Sequence, residues 1–353
     1  MSIRIAVASD ERYLPGAIGT LAAVRLALAP DVEMRIDILH DGLSEPLQDR
    51  CQQALARLRG TTLIRFVRID SAFDGFPDFY FPSKMPYARL LLPRLVEGER
   101  VLYLDSDILF LKSPLPLFQE TQLPSGLGAV LESSMPRLSS DTPAVDPGFP
   151  VDLNSPYFNS GFLLLNLPTL RSSGLIEAAL EILTKRPESC RWHDQSALNY
   201  AANGRCILLG QEWNTQTHHA CFDPVATIDD LATRSINPHF VTKAKPWLTC
   251  CPNPADEMFR ILLDAVDPQW RTPEFNAREK SNRRKYRHAE ALARFFHARA
   301  ALKKTFGRDS ASDARTAEFW SVCASDNRRL SQRAEEVDSL LEGWRKEIES
   351  KLA

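Results

Sequence analysis

The stretch Val101-Leu-Tyr-Leu-Asp105-Ser-Asp107-Ile-Leu-Phe110 joins a short apolar run to two carboxylates that lie two residues apart. The apolar run at 101–104 predicts a buried strand. Because side chains alternate along an extended chain, Asp105 and Asp107 are expected on the same side, just after that strand. Neighbouring carboxylates repel each other, and a bound divalent cation relieves the repulsion. The stretch therefore predicts half of a metal site. The alternative is that Asp105 caps a turn and Asp107 is merely exposed.

The chain before this stretch alternates between strand and helix patterns. Strands are predicted at 3–8, 34–39 and 61–69, and helices at 14–29, 44–58 and 87–96. This alternation predicts an α/β fold in which helices flank a mostly parallel sheet. Such sheets bind ligands at the carboxyl ends of their strands, where Asp105 and Asp107 are expected.

The rest of the chain divides into two parts. Further strands are predicted at 127–131, 162–167 and 206–209, and further helices at 169–185 and 194–202. The loop at 133–156 is long for an internal connection, which indicates a functional or mobile segment. From about residue 254 the pattern is helical. We therefore expect one α/β domain at 1–253 and a helical C-terminal extension at 254–353.

Composition and charge narrow the class of protein. The 353 residues are 44% hydrophobic and 25% charged, which is typical of a globular protein. The net charge of −2 combines +9 at 277–308 with an acidic remainder. This charge distribution argues against a protein that is basic along its whole length and wraps nucleic acid. The basic segment 278–308 also carries aromatic residues, so it predicts contact with an anionic membrane surface. The alternative is an accessory helix neutralised within the protein.

Cysteine content and hydropathy bear on location. Seven cysteines are scattered along the chain without a C-x-x-C pair, which favours a reducing compartment and gives no zinc site. The first residues resemble a strand and not a signal peptide, and no run of 18 apolar residues occurs. We expect a cytoplasmic protein, with peripheral membrane contact through the basic segment.

A histidine near two lysines offers a third metal ligand. His239 is followed by Lys243 and Lys245, either of which would suit phosphate oxygens as a point charge. A ligand set of carboxylates and imidazole favours manganese over magnesium. Spacing alone does not choose between the lysines. The alternative is a loop histidine with ordinary surface charges.

Two polar clusters are suited to hydroxyl recognition. Asn159-Ser160-Gly161 leads directly into a predicted strand, although an ordinary turn would have the same pattern. Asp194 and Gln195 stand at the start of a predicted helix, where they could accept from and donate to vicinal hydroxyls. Asp194 could equally cap that helix.

Together these motifs resemble glycosyltransferase family 8, the retaining sugar transferases that include glycogenin-like enzymes and bacterial lipopolysaccharide galactosyl- and glucosyltransferases. The matching elements cover about residues 1–250 and follow the family order: Ala6-Val-Ala-Ser-Asp10 with Tyr13, Tyr87-Ala-Arg89-Leu, Tyr103-Leu-Asp105-Ser-Asp107, Phe158-Asn159-Ser160-Gly161, Asp194-Gln195, and His239 with Lys245-Pro246-Trp247. The resemblance implies a GT-A type, Rossmann-like fold, a UDP-sugar donor and a manganese ion, with magnesium as the alternative. It also implies that a hexose, glucose or galactose, passes to a hydroxyl of a glycan or glycolipid acceptor.

The resemblance assigns roles residue by residue. The implied metal ligands are Asp105, Asp107 and His239. The implied donor-binding residues are Ala8, Asp10, Tyr13, Arg89, Asp105, Ser106, Asn159, Ser160, Thr242 and Lys245, with Asp10 and Tyr13 as the uracil-binding pair. The residues implied to act at the transferred sugar are Asp194 and Gln195, with Glu132 as a looser match. Thr242 stands where the family usually has a glycine, which puts that phosphate contact in doubt.

Two other functions fit parts of the pattern. Phosphatases that form an aspartyl-phosphate also place Asp-x-Asp after a buried strand, but they require Thr or Val where this chain has Leu109. A non-catalytic nucleotide-sugar-binding or scaffold protein would fit best if a metal ligand were missing, and all three are present.

Overall fold

The computed structural model describes residues 1–69, 72–77, 83–141, 150–217, 223–249, 253–305 and 309–353. Part of the predicted loop (142–149), the end of the basic segment (306–308) and Cys221, Cys250 and Cys251 lie outside these residues. The chain forms two compact units. The first unit comprises Met1–Cys221, Arg234–Val241 and Lys351–Ala353, and the second comprises Phe222–Thr233 and Thr242–Ser350. The boundary at residue 253 stays a prediction.

The first half of the first unit follows the predicted alternation. Its elements are β1 (Ser2–Ala8), α1 (Leu14–Ala27), β2 (Glu33–His40), α2 (Glu45–Ala56), β3 (Thr62–Arg68) and β4 (Arg100–Leu104). The helix predicted at 87–96 is instead a 3-10 helix, Met85–Leu91, followed by the short helix α3, Leu92–Leu95. Each begins with a proline near its first position, and proline lacks the N–H that would continue a preceding helix.

The second half of the first unit completes the sheet. Its elements are α4 (Leu115–Glu120), β5 (Leu127–Leu131), β6 (Phe158–Asn166), α5 (Leu167–Ser173), α6 (Leu175–Lys185), α7 (Asp194–Ala202), β7 (Ile207–Leu209), β8 (Thr215–Gln216) and β9 (Pro238–His239). The single helix predicted at 169–185 is interrupted at Gly174, whose φ of 70° ends α5. A left-handed conformation of this kind is typical of a glycine at a helix end.

The central sheet has the strand order β3-β2-β1-β4-β6-β5-β7. Neighbouring strands pair in parallel except around β6, which is antiparallel to both β4 and β5. This confirms the mostly parallel sheet flanked by helices. Because β6 runs in the opposite direction, its first residues lie beside the carboxyl end of β4, where Leu104 pairs with Phe162. Polar residues 159–161 are therefore part of a buried strand and not a turn before it.

The second unit is helical, as the sequence predicts beyond residue 254. Its helices are α8 (Ile228–Ala232), α9 (Pro254–Val266), α10 (Pro273–Arg287), α11 (Ala289–Thr305), α12 (Ala311–Gln332) and, apart from its last residue, α13 (Ala334–Lys351). Buried Trp344 on α13 donates its indole N–H to the carbonyl of Met258 on α9 (2.8 Å). Among the described residues, no helix combines the length and the hydropathy needed to cross a membrane.

Candidate active site

A cluster of two aspartates and a histidine lies at the carboxyl end of β4. Asp107 Oδ1 is 3.0 Å from His239 Nε2, and Asp105 Oδ2 is 3.9 Å from the same nitrogen. Residues 106–107 form a turn, so the prediction that Asp105 and Asp107 share one side of an extended segment was wrong. The turn nevertheless brings the two carboxylates close together. The strand β9 is fixed against this turn because the N–H of Phe240 donates to the carbonyl of Asp107 (2.9 Å).

A chain of buried amides leads from a carboxylate to the ring of His239. Asn159 Nδ2 donates to Glu132 Oε2 (2.9 Å), and Asn159 Oδ1 accepts from the backbone N–H of Gly161 (3.0 Å). Asn214 Nδ2 donates to the same Asn159 oxygen (3.0 Å), so Asn214 Oδ1 is left as an acceptor 2.7 Å from His239 Nδ1. The Nδ1 atom of His239 therefore carries the proton, since two acceptors cannot share a hydrogen bond without one.

This tautomer makes the cluster suitable for a divalent cation. When Nε2 carries no proton, its lone pair is directed toward Asp107 Oδ1, 3.0 Å away. A lone pair and a carboxylate oxygen repel each other at this distance unless a cation lies among them. One ligand atom from each of Asp105, Asp107 and His239 lies within 4.8 Å of the others. The donor set of two carboxylates and one imidazole fits a divalent metal ion.

Arg89 is a buried link between two of the predicted site carboxylates. Its Nη2 donates to Asp105 Oδ1 (2.9 Å), and its Nε lies 3.0 Å from Asp194 Oδ2. Its Nη1 donates to the carbonyl and the hydroxyl of Ser160. Burial alone would lower the pKa of Arg89, but Asp105 and Asp194 outweigh burial and raise it. Arg89 thus organises β4, β6 and α7, and its contact with a donor stays a prediction.

Asp194 and Gln195 meet the start of β6 from the first turn of α7. Burial raises the pKa of Asp194 to about 6, although the Arg89 guanidinium opposes the rise. The Ser160 hydroxyl donates to Asp194 Oδ2 (3.2 Å). Gln195 Oε1 accepts the backbone N–H of Ser160 (2.9 Å), and Gln195 Nε2 lies 3.5 Å from Glu132 Oε2. The loosely matched Glu132 is therefore tied to Gln195 and, through the amide chain, to His239.

Gly161 allows this close assembly. A Cβ atom at this position would lie 2.5 Å from both Asp105 Oδ2 and His239 Cε1, closer than side chains tolerate. The backbone carbonyl of Gly161 also accepts the N–H of Asp105 (2.7 Å). A glycine in a strand interior often marks the close approach of another group. Here that group is the metal-type cluster, which consists of Asp105, Asp107 and His239.

The end of β1 supplies the predicted base-binding residues. Ala8 is the last residue of β1, and Asp10 Oδ1 accepts the N–H of Tyr13 (2.9 Å) just before α1. Burial and the Asp107 carboxylate raise the pKa of the Tyr13 hydroxyl, which indicates that Tyr13 lies near the acidic cluster. Ser106 is buried in the turn between the two aspartates. The binding roles of these residues stay predictions.

Thr242 and Lys245 belong to the second unit, three and six residues after His239. Thr242 does not adopt a positive φ, and its hydroxyl accepts the N–H of Ala244 (3.2 Å). Lys245 is 7% exposed. Their proposed contacts with a diphosphate stay predictions.

Two residues of this site received no role from the sequence. Asn214 is fully buried and contacts His239, and the Tyr103 hydroxyl donates to Asp105 Oδ1 (3.0 Å). Tyr103 could have been found from its position two residues before Asp105, because residues i and i+2 of a strand share a face. No spacing signal identifies Asn214.

The sequence and the fold resemble those of sugar-transferring enzymes. The chain is 24% identical to a lipopolysaccharide 1,2-glucosyltransferase of Escherichia coli, over 74% of this chain and 78% of the relative. It is 26% identical to a lipopolysaccharide 1,3-galactosyltransferase of Salmonella typhimurium, over 72% and 76%. A crystal structure of the galactosyltransferase LgtC in complex with donor and acceptor sugar analogues superposes with a TM-score of 0.62 at 26% identity, covering 78% of this chain and all of that one.

The strand order of the sheet and the structural similarity to LgtC together define a glycosyltransferase of the GT-A type. Residues 4–251 match the family model "Glycosyl transferase family 8", and the chain belongs to that family. This family assignment confirms the resemblance drawn from the motifs. It gives no support to the phosphatase alternative.

Proposed function

We propose that the protein transfers a hexose, glucose or galactose, from a UDP-sugar to a hydroxyl of a glycan or glycolipid acceptor, with retention of configuration. The observation that carries this proposal is the cluster of Asp105, Asp107 and His239 at the carboxyl end of β4, in a chain that belongs to family 8. The relatives named as lipopolysaccharide glucosyl- and galactosyltransferases support the choice of sugar and acceptor class.

In the proposed mechanism, Asp105, Asp107 and His239 hold a manganese ion, with magnesium as the alternative. When bound, such an ion stabilises the negative charge that develops on the leaving diphosphate. Lys245 adds a positive charge at the diphosphate. Asp10 and Tyr13 bind the base, and Ala8, Arg89, Ser106, Asn159, Ser160 and Thr242 complete the donor site.

We propose that Asp194 and Gln195 act at the transferred sugar. An amide oxygen is a weak nucleophile compared with a carboxylate, and Gln195 Oε1 already accepts the N–H of Ser160. Front-face attack therefore fits better than a covalent intermediate on Gln195. In that route the departing phosphate oxygen helps to deprotonate the acceptor, while Asp194 and Gln195 stabilise an oxocarbenium-like centre.

Calorimetric titration with UDP, with and without Mn²⁺, tests the proposal. We expect UDP binding to require Mn²⁺, and we expect slow hydrolysis of either UDP-glucose or UDP-galactose in preference to the other. Because hydrolysis needs no acceptor, the donor-hydrolysis assay separates an enzyme from a non-catalytic nucleotide-sugar-binding protein. UDP binding that is indifferent to Mn²⁺, or the absence of hydrolysis with every donor, would contradict the proposal.

The second unit suggests where the enzyme works. We propose that it acts in a reducing, cytoplasmic compartment and contacts an anionic membrane face through 278–308. On α11, Phe295 and Leu302 are 56% and 60% exposed and stand seven residues apart, on one helix face. The helix α10 carries several exposed basic residues: Arg278, Lys280, Arg284, Lys285 and Arg287. Part of the segment is neutralised internally, since Arg299 and Lys303 both pair with Asp313.

The membrane proposal predicts a loss of vesicle binding in the variant Arg284→Gln/Lys285→Gln. Each basic residue near an anionic surface contributes about 1 kcal/mol, so the partition coefficient should fall roughly 30-fold. Co-sedimentation with phosphatidylglycerol-containing vesicles at low salt measures it. The control Arg345→Gln/Lys346→Gln removes two basic residues of α13, outside the segment, and should bind as the parent does. Equal binding by all three proteins would refute the proposed contact.

A further inference from the structure

Asn214 lies between Asn159 and His239, a position that no sequence motif reveals. It follows the 3-10 helix Gln211–Trp213 and precedes β8, and it is 0% exposed. Its own N–H donates to the carbonyl of Gln211 (3.1 Å), and the next residue, Thr215, donates to the carbonyl of Asn237 (2.9 Å). The backbone of Asn214 is therefore held in place beside β9.

The amide group of Asn214 has only one orientation that satisfies its neighbours. Asn159 Oδ1 faces the Nδ2 of Asn214, and its acceptor character is set by the backbone N–H of Gly161. A rotated Asn214 would place its oxygen against Asn159 Oδ1 and its NH₂ group against His239 Nδ1. Glu132 Oε2, at the other end of the chain, accepts from Asn159 Nδ2 and reinforces the same direction.

The orientation matters because His239 has a competing tautomer. Asp107 Oδ1 lies 3.0 Å from His239 Nε2 and, in the absence of a cation, would accept a charge-assisted hydrogen bond from a protonated Nε2. A protonated Nε2 has no lone pair and cannot bind a metal ion. The Asn214 oxygen, 2.7 Å from Nδ1, stabilises the opposite tautomer. Outer partners of this kind fix the ring orientation and the basicity of a metal-binding histidine.

We propose that Asn214 is a positioning residue that holds His239 in the Nδ1–H tautomer, with Nε2 free to bind a divalent cation. The inference rests on the proposed function only in that a divalent cation binds this cluster. Asn214 is not among the residues that could hold the cation, and its amide contacts Asn159 on one side and His239 on the other. Its effect is exerted through His239.

Mn²⁺ affinity, measured by electron paramagnetic resonance in the presence of UDP, tests the proposal. We expect Asn214→Leu to weaken Mn²⁺ binding about 10- to 100-fold, as loss of an outer partner of a metal ligand does in other metal sites. Asn214→Asp keeps an acceptor for Nδ1 and should retain more of the affinity than Asn214→Leu. The control Gln216→Met removes another buried amide next to β9, one that bonds to Leu131 and Ser133, and should bind Mn²⁺ as the parent does.

Two further measurements separate a positioning role of Asn214 from a general loss of folding. In a His239→Ala background, Asn214→Leu should cause no further loss of Mn²⁺ affinity, because the effect passes through the ring. Thermal unfolding of each variant shows whether it is folded.

The outcomes distinguish this inference from the proposed function. If the parent protein binds no Mn²⁺ at this cluster, both fail. If the parent binds Mn²⁺ and His239→Ala weakens it while Asn214→Leu does not, the positioning role alone is refuted. Equal losses from Asn214→Leu in the parent and in His239→Ala would also refute it, since Asn214 would then act by another route.

Discussion

Asp107→Asn is expected to abolish most of the metal-dependent sugar transfer while leaving the protein folded. The substitution keeps the shape of the side chain but removes the charge of an oxygen that lies 3.0 Å from His239 Nε2. A metal ion contributes several kcal/mol to stabilising a developing negative charge, and each 1.36 kcal/mol is a factor of ten in rate. We therefore expect a decrease in kcat of about 100- to 1,000-fold, measured as donor hydrolysis and as transfer to an acceptor.

Asp107 is a better choice than Asp105 for this experiment. Asp105 also accepts hydrogen bonds from Arg89 and Tyr103, so its removal would disturb the buried network as well as the metal site. Asp107→Asn should also lose Mn²⁺ binding, and its circular dichroism spectrum should match that of the parent. Asp49→Asn, an exposed substitution on α2, is the matched control and should leave both Mn²⁺ binding and kcat unchanged. An Asp107→Asn protein that binds Mn²⁺ with parental affinity would disprove the metal assignment.

The sheet was largely predictable because its signals are local. Apolar runs separated by amphipathic segments predict β1 to β4 and the helices between them, and the observed bounds differ by a few residues. The reversed direction of β6 was not predictable, since an apolar run indicates a strand but not its orientation. That reversal brings the first residues of β6 to the carboxyl end of β4, where Gly161 accepts the N–H of Asp105, whereas the sequence predicted a turn before the strand.

Residues of the site could be predicted from the sequence only where they belong to a short motif. Asp105 and Asp107 stand two residues apart, and His239, expected as a third ligand from its own segment and again from the family resemblance, lies with them in the structure. Asn214 and Glu132 belong to the same hydrogen-bonded chain, but they stand 82 positions apart in the sequence, and only the pairing of β8 with β9 brings Asn214 to His239. Long-range packing of this kind leaves no periodicity or spacing to detect.

Arg89→Met should destabilise the fold more than any other single substitution in the site. The guanidinium is 4% exposed and joins the carboxylates of Asp105 and Asp194, so its loss leaves buried negative charge without compensation. Removing one partner of a buried ion pair costs about 3–5 kcal/mol in the free energy of unfolding. Urea denaturation at pH 8 measures this change. Arg94→Met, which removes an exposed ion pair to Glu177, is the control and should cost no more than about 1 kcal/mol.

The pH dependence of this loss identifies its cause. Burial raises the pKa of Asp194 to about 6, above the ordinary value of 3.8, so between these values the folded protein binds a proton that the unfolded chain releases. Asp194 therefore stabilises the fold most at low pH, and this contribution is lost as the pH rises through 6. Without Arg89 the pKa rises further, and the cost of Arg89→Met relative to the parent should be smaller at pH 5 than at pH 8. Arg89→Met/Asp194→Asn should recover part of the stability at pH 8. A cost that is the same at both pH values would show that Arg89 stabilises the fold by packing and not by compensating Asp194.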